Sequence, residues 1–285
     1  ERSFLILSNV RRAAKKFKAG TYFLQRGLPQ DSVLTLLIKG MVAVKKVTIP
    51  EGLNIFQTAS ILKRQLGIDS AGAIKLMLDT TFIRKLNLEQ NSLEGYLFPE
   101  TYFFPWSADV GYMLLKMANR AIKVYNSIFE ENEITKIYNR HEIFILASII
   151  EKETAVQHEM ACIAGVFYNR LNRSKSKGGP MPLGADPTVR YALNKYSGTL
   201  TRSNLMADSP YNTRIKLGLP PGPICSPGKN SLLAALSPEK HGFFYFVARY
   251  DGSGEHYFSK TNSQHEEMKI LAERNKLLLL KASVY

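Results

Sequence analysis

One carboxylate closes the most apolar run of the chain: Ile143-Phe144-Ile145-Leu146-Ala147-Ser148-Ile149-Ile150-Glu151. A helix that is apolar on nearly every face is normally buried, so Glu151 lies where a charge is expensive. Desolvation favours its neutral form. A carboxyl that stays protonated near neutral pH is able to donate to a glycosidic oxygen. The competing reading is plain: a Glu at the end of an apolar helix often marks the point where the helix reaches solvent. Asn139 and Glu142 have capping-box spacing and predict a helix start near His141. Two positions turn about 200° around a helix, which puts Glu153 on nearly the opposite face from Glu151. Lys152 and Glu153 then fall toward the outside or the flank. Chemistry at Glu151 therefore needs a single acid/base, or a second group from elsewhere in the chain.

The elements that must hold this helix follow from periodicity. Gly20 to Leu24 reads as a short strand, and Asp31 or Ser32 caps a helix through Val33–Leu37 that stops at Gly40. Val42 to Ile49 is β-rich, Pro50-Glu51-Gly52 is a turn, and helices follow over Ile55–Leu66 and Ser70–Leu78. Residues 94–106 hold six aromatics and two prolines. Helices are expected over Val110–Asn132 and Glu159–Arg173, with a basic loop over residues 174–179. Three loops dense in Gly, Pro, Asn and Ser then cover 180–188, 209–213 and 218–228. Prolines stiffen such backbones, and rigid loops suit binding groups. Phe243–Ala248 and His256–Ser259 form a hairpin across Asp251-Gly252-Ser253-Gly254, and a terminal helix runs from Thr261 or Asn262 to about Lys281.

The apolar fraction of 45% supports a real core and excludes a globally disordered chain. The chain starts at Glu1, as a processed or truncated piece would, and no run approaches the roughly 20 apolar residues of a membrane span. Net charge is +14, of which residues 1–46 carry +8: ten Lys or Arg against Glu1 and Asp31. An anionic membrane surface, an anionic wall polymer or nucleic acid would suit that stretch. Nucleic acid is disfavoured, because no binding motif is present and the aromatics do not interleave with the basic cluster. Cys162 and Cys225 lack metal-site spacing. No metal or other cofactor is expected.

Taken in order, the motifs resemble one family. They are Glu94-Gly-Tyr-Leu-Phe-Pro-Glu-Thr-Tyr102, Ala147-Ser-Ile-Ile-Glu-Lys-Glu-Thr154, Val166-Phe-Tyr-Asn-Arg-Leu171, Leu183-Gly-Ala-Asp-Pro-Thr-Val189, Ser209-Pro-Tyr-Asn-Thr213, Gly218-Leu-Pro-Pro-Gly222 and Ser226-Pro-Gly228. Phe17–Tyr22 and Thr48–Gly52 add to them. The set resembles the bacterial endolytic murein transglycosylases of the YceG-like, or MltG, type. The resemblance implies an α+β chain: a small LysM-like α/β module over residues 1–90, then a larger mixed α+β catalytic domain over 91–285. It implies endolytic, non-hydrolytic cleavage of peptidoglycan glycan strands between N-acetylmuramic acid and N-acetylglucosamine. The new ends would be 1,6-anhydro-N-acetylmuramic acid, and nascent strand length would be limited. It implies an inner-membrane protein with a single N-terminal anchor absent from this piece, an extracytoplasmic catalytic domain, and coupling to peptidoglycan synthases.

The resemblance places the acid/base at Glu151, the first Glu of Glu151-Lys152-Glu153. It would protonate the leaving 4-oxygen, then take the proton of the attacking muramic acid 6-hydroxyl. Glu100, Tyr102, Asn169, Asp186, Thr188, Tyr211, Asn212 and Ser226 fall in matching motifs and are candidates to bind the glycan. Two alternatives stay open: a hydrolytic muramidase with Asp186 as second carboxylate, and a non-catalytic cell-wall scaffold carried by the LysM-like module.

Overall fold

Caps and glycines set most helix boundaries in the N-terminal part. In the computed structural model, which describes residues 2–174, 176 and 178–282, α1 (Arg2–Val10) and α2 (Gln30–Lys39) lead to strand β1 (Val44–Thr48). Gly40 ends α2 in the left-handed region, φ 69°, where a Cβ is disfavoured. The start of α2 differs from expectation: the helix opens directly after Pro29, and Asp31 sits in its first turn, ion-paired with Arg11 at 2.6 Å. Gly20–Leu24 is not a strand. Among the described residues its backbone makes one bond to the rest, Ala43 N–H to Thr21 O at 2.7 Å, so no ladder forms.

Asn54 and Gln57 form a capping box at α3 (Ile55–Leu66). Asp69 caps α4 (Ser70–Met77), Asp79 caps α5 (Thr80–Arg84), and Asp109 caps the long α6 (Val110–Ile128). Between them, β2 (Thr101–Pro105) pairs antiparallel with β1, from Val44 opposite Pro105 to Thr48 opposite Thr101. This pairing crosses the expected division at residue 90. So does the apolar core, which joins Val47 and Leu62 to Phe104, Met117, Phe144, Ile149, Phe167 and Leu232. α6 ends before Asn132, whose side chain instead takes the backbone N–H groups of Ile134 and Thr135.

Helix α7 (Arg140–Glu153) has the expected Asn139/Glu142 capping box and buries every residue from Ile143 to Ile150. It runs through the middle of the core. On its sides lie α8 (Met160–Leu171) and α11 (Lys229–Leu236), with the short α9 (Asp186–Ala192) and α10 (Arg202–Leu205) between them in sequence. α8 is one residue shorter at its start and two at its end than the pattern suggested, and Glu159 lies in the turn before it. Strands β3 (Tyr245–Ala248) and β4 (His256–Ser259) form the C-terminal hairpin, against which α12 (Asn262–Ala282) packs. Lys175 and Lys177 of the basic loop lie outside the described residues. Cys162 and Cys225 are free and buried. No described helix is long and apolar enough to cross a membrane.

Candidate active site

The two acids that end α7 have different surroundings. Glu151 Oε2 accepts the Ser231 hydroxyl at 2.6 Å and the Gly228 N–H at 3.0 Å. Gly228 is the N-cap of α11 and has no side chain of its own to cap with. Glu151 therefore supplies, from another helix, the carboxylate that a helix N-terminus favours. The surrounding backbone locks this arrangement: Gly52 N–H donates to Ser226 O, Ser226 N–H to Leu53 O, and Lys152 Nζ to Gly52 O. Glu51 lies beside Gly228, and burial together with the Glu151 charge pushes its carboxyl above the usual range.

Glu153 faces elsewhere. It lines a recess of about 520 Å³ with Arg170, Asp186, Arg214, Phe246, Tyr250, His256 and His265. Among the described residues its carboxyl accepts no hydrogen bond. It keeps partial solvent access through the mouth of the recess, yet protein surrounds it on the other sides. Burial, reinforced by the negative charge of Asp186, pushes its pKa up to about 8; Arg170 and Arg214 oppose that shift. A carboxyl so placed holds its proton at neutral pH and points at open space, which is what a general acid requires.

The walls are rigid. Arg170, on the same turn of α8 as Asn169, donates Nε to Phe244 O at 2.7 Å and a terminal NH to Leu183 O. Its guanidinium lies over Tyr245 and Phe246. One side chain thus ties the hairpin to the loop before α9. Arg214 is paired with Asp186 Oδ1 at 2.6 Å. Beneath the recess, Glu159 holds His256 by its backbone N–H at 2.9 Å and by ring Nδ1 at 2.8 Å.

Of the candidates read from motifs, only Asp186 shares the recess with an α7 carboxyl. Glu100 is exposed and paired with Arg120 at 2.7 Å, and it lines a separate groove with Tyr102. Tyr102 is buried, stacked on Phe104, and its hydroxyl donates to Phe98 O. Asn169 donates to the carbonyls of His241 and Phe243 and so anchors the approach to β3. Thr188 and Asn212 are fully buried: the first bonds Ala185 O and Thr213, the second braces the carbonyls of Leu205 and Ala207. Tyr211 packs against Tyr191 and lines a third groove, and Ser226 lies buried on the Glu151 side. Asn169, Thr188 and Asn212 thus brace backbone through internal bonds, while Glu100, Tyr102 and Tyr211 line other grooves. The expected isolation of Glu151 in apolar surroundings is also corrected, since it is only half-buried and doubly hydrogen-bonded.

Glu153, Arg170, Arg214 and His256 were missed as recess residues. Glu153 and Arg170 stand inside quoted motifs, but helical geometry assigned Glu153 to an outer face. That face is covered by the β3–β4 hairpin, a contact between residues about 100 positions apart that no local pattern announces. Glu94 is the other strongly perturbed acid, pushed to about 7 by burial. It is only 3% exposed, and its Oε2 accepts Ile55 N–H and the Tyr191 hydroxyl, which makes it a poor acid for a polymer.

The YceG-like family model matches residues 1–270. The chain belongs to the YceG-like family. It is similar to the endolytic murein transglycosylase of Bacillus subtilis (strain 168), 34% identical over 277 residues, covering 90% of this chain and 74% of that protein. It is 29% identical over 283 residues to the endolytic murein transglycosylase of Streptococcus pneumoniae (strain ATCC BAA-255 / R6), covering 87% of this chain and about half of that one, 49%. Among solved structures it is similar to the yceG-like protein lmo1499 from Listeria monocytogenes, with a TM-score of 0.66 and 34% identity over 94% of this chain and 90% of that chain. The mixed α+β architecture of this YceG-like chain agrees with that likeness.

Proposed function

We propose that this YceG-like chain cleaves peptidoglycan glycan strands internally without consuming water, and that Glu153, not Glu151, is its general acid. One observation carries the reading: the Glu153 carboxyl, its pKa pushed up to about 8 by burial, lines an open recess walled by charged and aromatic groups. Glu153 would donate its proton to the leaving 4-oxygen of N-acetylglucosamine. The muramic acid 6-hydroxyl would give up its proton within the recess, attack C1 and close the 1,6-anhydro ring. Charge developing on the sugar would be met by Asp186, while Arg170 and Arg214 would hold anionic or hydroxyl groups of the strand. The names of the curated relatives support the substrate class. The net positive charge of residues 1–46 supports a position beside an anionic envelope surface, as a membrane-anchored protein with an extracytoplasmic catalytic domain would have.

The test is product analysis. Mass spectrometry of digested uncrosslinked glycan should find ends lighter by one water than hydrolytic ends, and none with Glu153→Gln. A specific observation keeps one competitor in view: Asp186 lies in the same recess and could activate a water. Reducing ends carrying oxygen from labelled water would establish that hydrolytic route and overturn the non-hydrolytic one. Full cleavage by Glu153→Gln with loss in Glu151→Gln would return the role to Glu151.

A further inference from the structure

The recess holds a second group with an address for protons. His256 opens β4 opposite Ala248 and is 7% exposed. Glu159, equally buried, grips it at two points: one carboxylate oxygen takes the backbone N–H and the other meets Nδ1. This fixes both the position of the strand and the plane of the ring. A carboxylate only accepts, so Nδ1 carries the proton, and Nε2 is left with its lone pair in the neutral ring. Among the described residues Nε2 has no hydrogen-bond partner, and the ring lines the same recess as Glu153. Buried carboxylate, oriented imidazole and open reaction space is the logic by which hydroxyl groups are activated elsewhere. Phe246 stacks edge-on against the ring and keeps it from turning.

We propose that His256 is a catalytic residue of this recess and Glu159 its positioning residue: Nε2 removes the proton of the attacking hydroxyl while Glu153 protonates the leaving oxygen. This rests on the reading of Glu153 given above. The balance is complete. The C1–O4 bond breaks and O4 receives the Glu153 proton. The O6–C1 bond forms and the O6 proton passes to Nε2. The imidazolium, stabilised by Glu159, then returns that proton to Glu153 through solvent, and no other reactant is consumed.

The charges around the ring are mixed. Glu153 on α7, Asp186 and Arg214 around α9, and Arg170 on α8 face it across the recess, with Tyr250 from the hairpin turn and His265 from α12. Arg249, on the loop after β3, donates Nε to the His256 carbonyl and pairs with Glu255.

The test is the pH dependence of glycan cleavage by the full chain. Wild type should lose activity on the alkaline side as Glu153 loses its proton, and on the acid side through a limb that requires His256. His256→Gln should fall by at least about 100-fold, and its residual rate should lack the acid limb while keeping the alkaline one. Glu159→Gln presents an amide N–H to Nδ1, shifts the ring proton to Nε2 and should lose a comparable factor. A His256→Gln variant that cleaves within threefold of wild type overturns the proposal. So does a rate lowered by one factor at every pH, as a purely structural role would give. Either result, with Glu153→Gln inactive, leaves the Glu153 reading standing; an active Glu153→Gln overturns that reading and this one together. Should His256→Gln fail to fold, nitrogen-15 NMR of histidine-labelled wild type decides instead. A neutral His256 with its proton on Nδ1 supports the dyad, and a proton on Nε2 overturns it.

Discussion

Replacing Glu153 with Gln should abolish cleavage and make the protein more stable, with a gain that grows with pH. The Glu153 carboxyl has its pKa raised from 4.5 to about 8 on folding, chiefly by burial. For an acid whose folded pKa lies above its unfolded value, the favourable contribution is complete below the unfolded pKa. It is lost as pH rises toward the folded pKa. Between pH 4.5 and 7 the loss amounts to about 1.4 kcal/mol per pH unit, or about 3 kcal/mol by pH 7. Glu153 keeps partial contact with solvent, and screening reduces this to about 2 kcal/mol. Gln has the same shape and no charge to bury. The variant should therefore match wild type near pH 4.5 and melt roughly 4–8 °C higher at pH 7–8. The assay is a series of thermal melts over pH 4.5–8.5, run beside glycan cleavage at each pH. A stability difference that does not change with pH would refute the argument, because Glu153 would then ionise as it does in the unfolded chain. The trade is the expected one for an acid kept protonated for chemistry at a cost in stability.

Glu151→Ala should cost about 1–3 kcal/mol, since it leaves Gly228 N–H and Ser231 at the start of α11 without their acceptor, while the folded fraction keeps cleaving. Denaturant melts paired with activity per folded molecule measure both effects. Asp186→Asn removes the charge that helps hold the Glu153 proton and frees Arg214, so the alkaline limb of the pH–rate profile should move to lower pH. An unmoved limb counts against their coupling. Gly165→Ala should destabilise by about 1–3 kcal/mol, because its Cβ would collide with the Glu239 carbonyl oxygen, which is backbone and cannot yield as a side-chain tip would. Urea midpoints check it.

Local rules settle much of this protein. Asn54 with Gln57 and Asn139 with Glu142 start their helices as their spacing dictates, because a cap bond depends on residues three apart. The β4 strand and α3 have the boundaries their patterns predict, and the ordered motifs place the chain in its family. Gly20–Leu24 shows the limit: β-forming residues make a strand only when a partner offers a ladder, and here one backbone bond is all that forms among the described residues.

The assignment of the two acids needed the tertiary structure. Sequence alone establishes that Glu151 and Glu153 end a buried helix on nearly opposite faces. It does not reveal what meets each face. α11, about 80 residues away, turns its N-terminus to Glu151 and makes that charge welcome. The hairpin and the loop before α9 close around Glu153 and make its charge expensive. The fate of a proton depends on the dielectric and the charges around it, and those are set by segments distant in sequence.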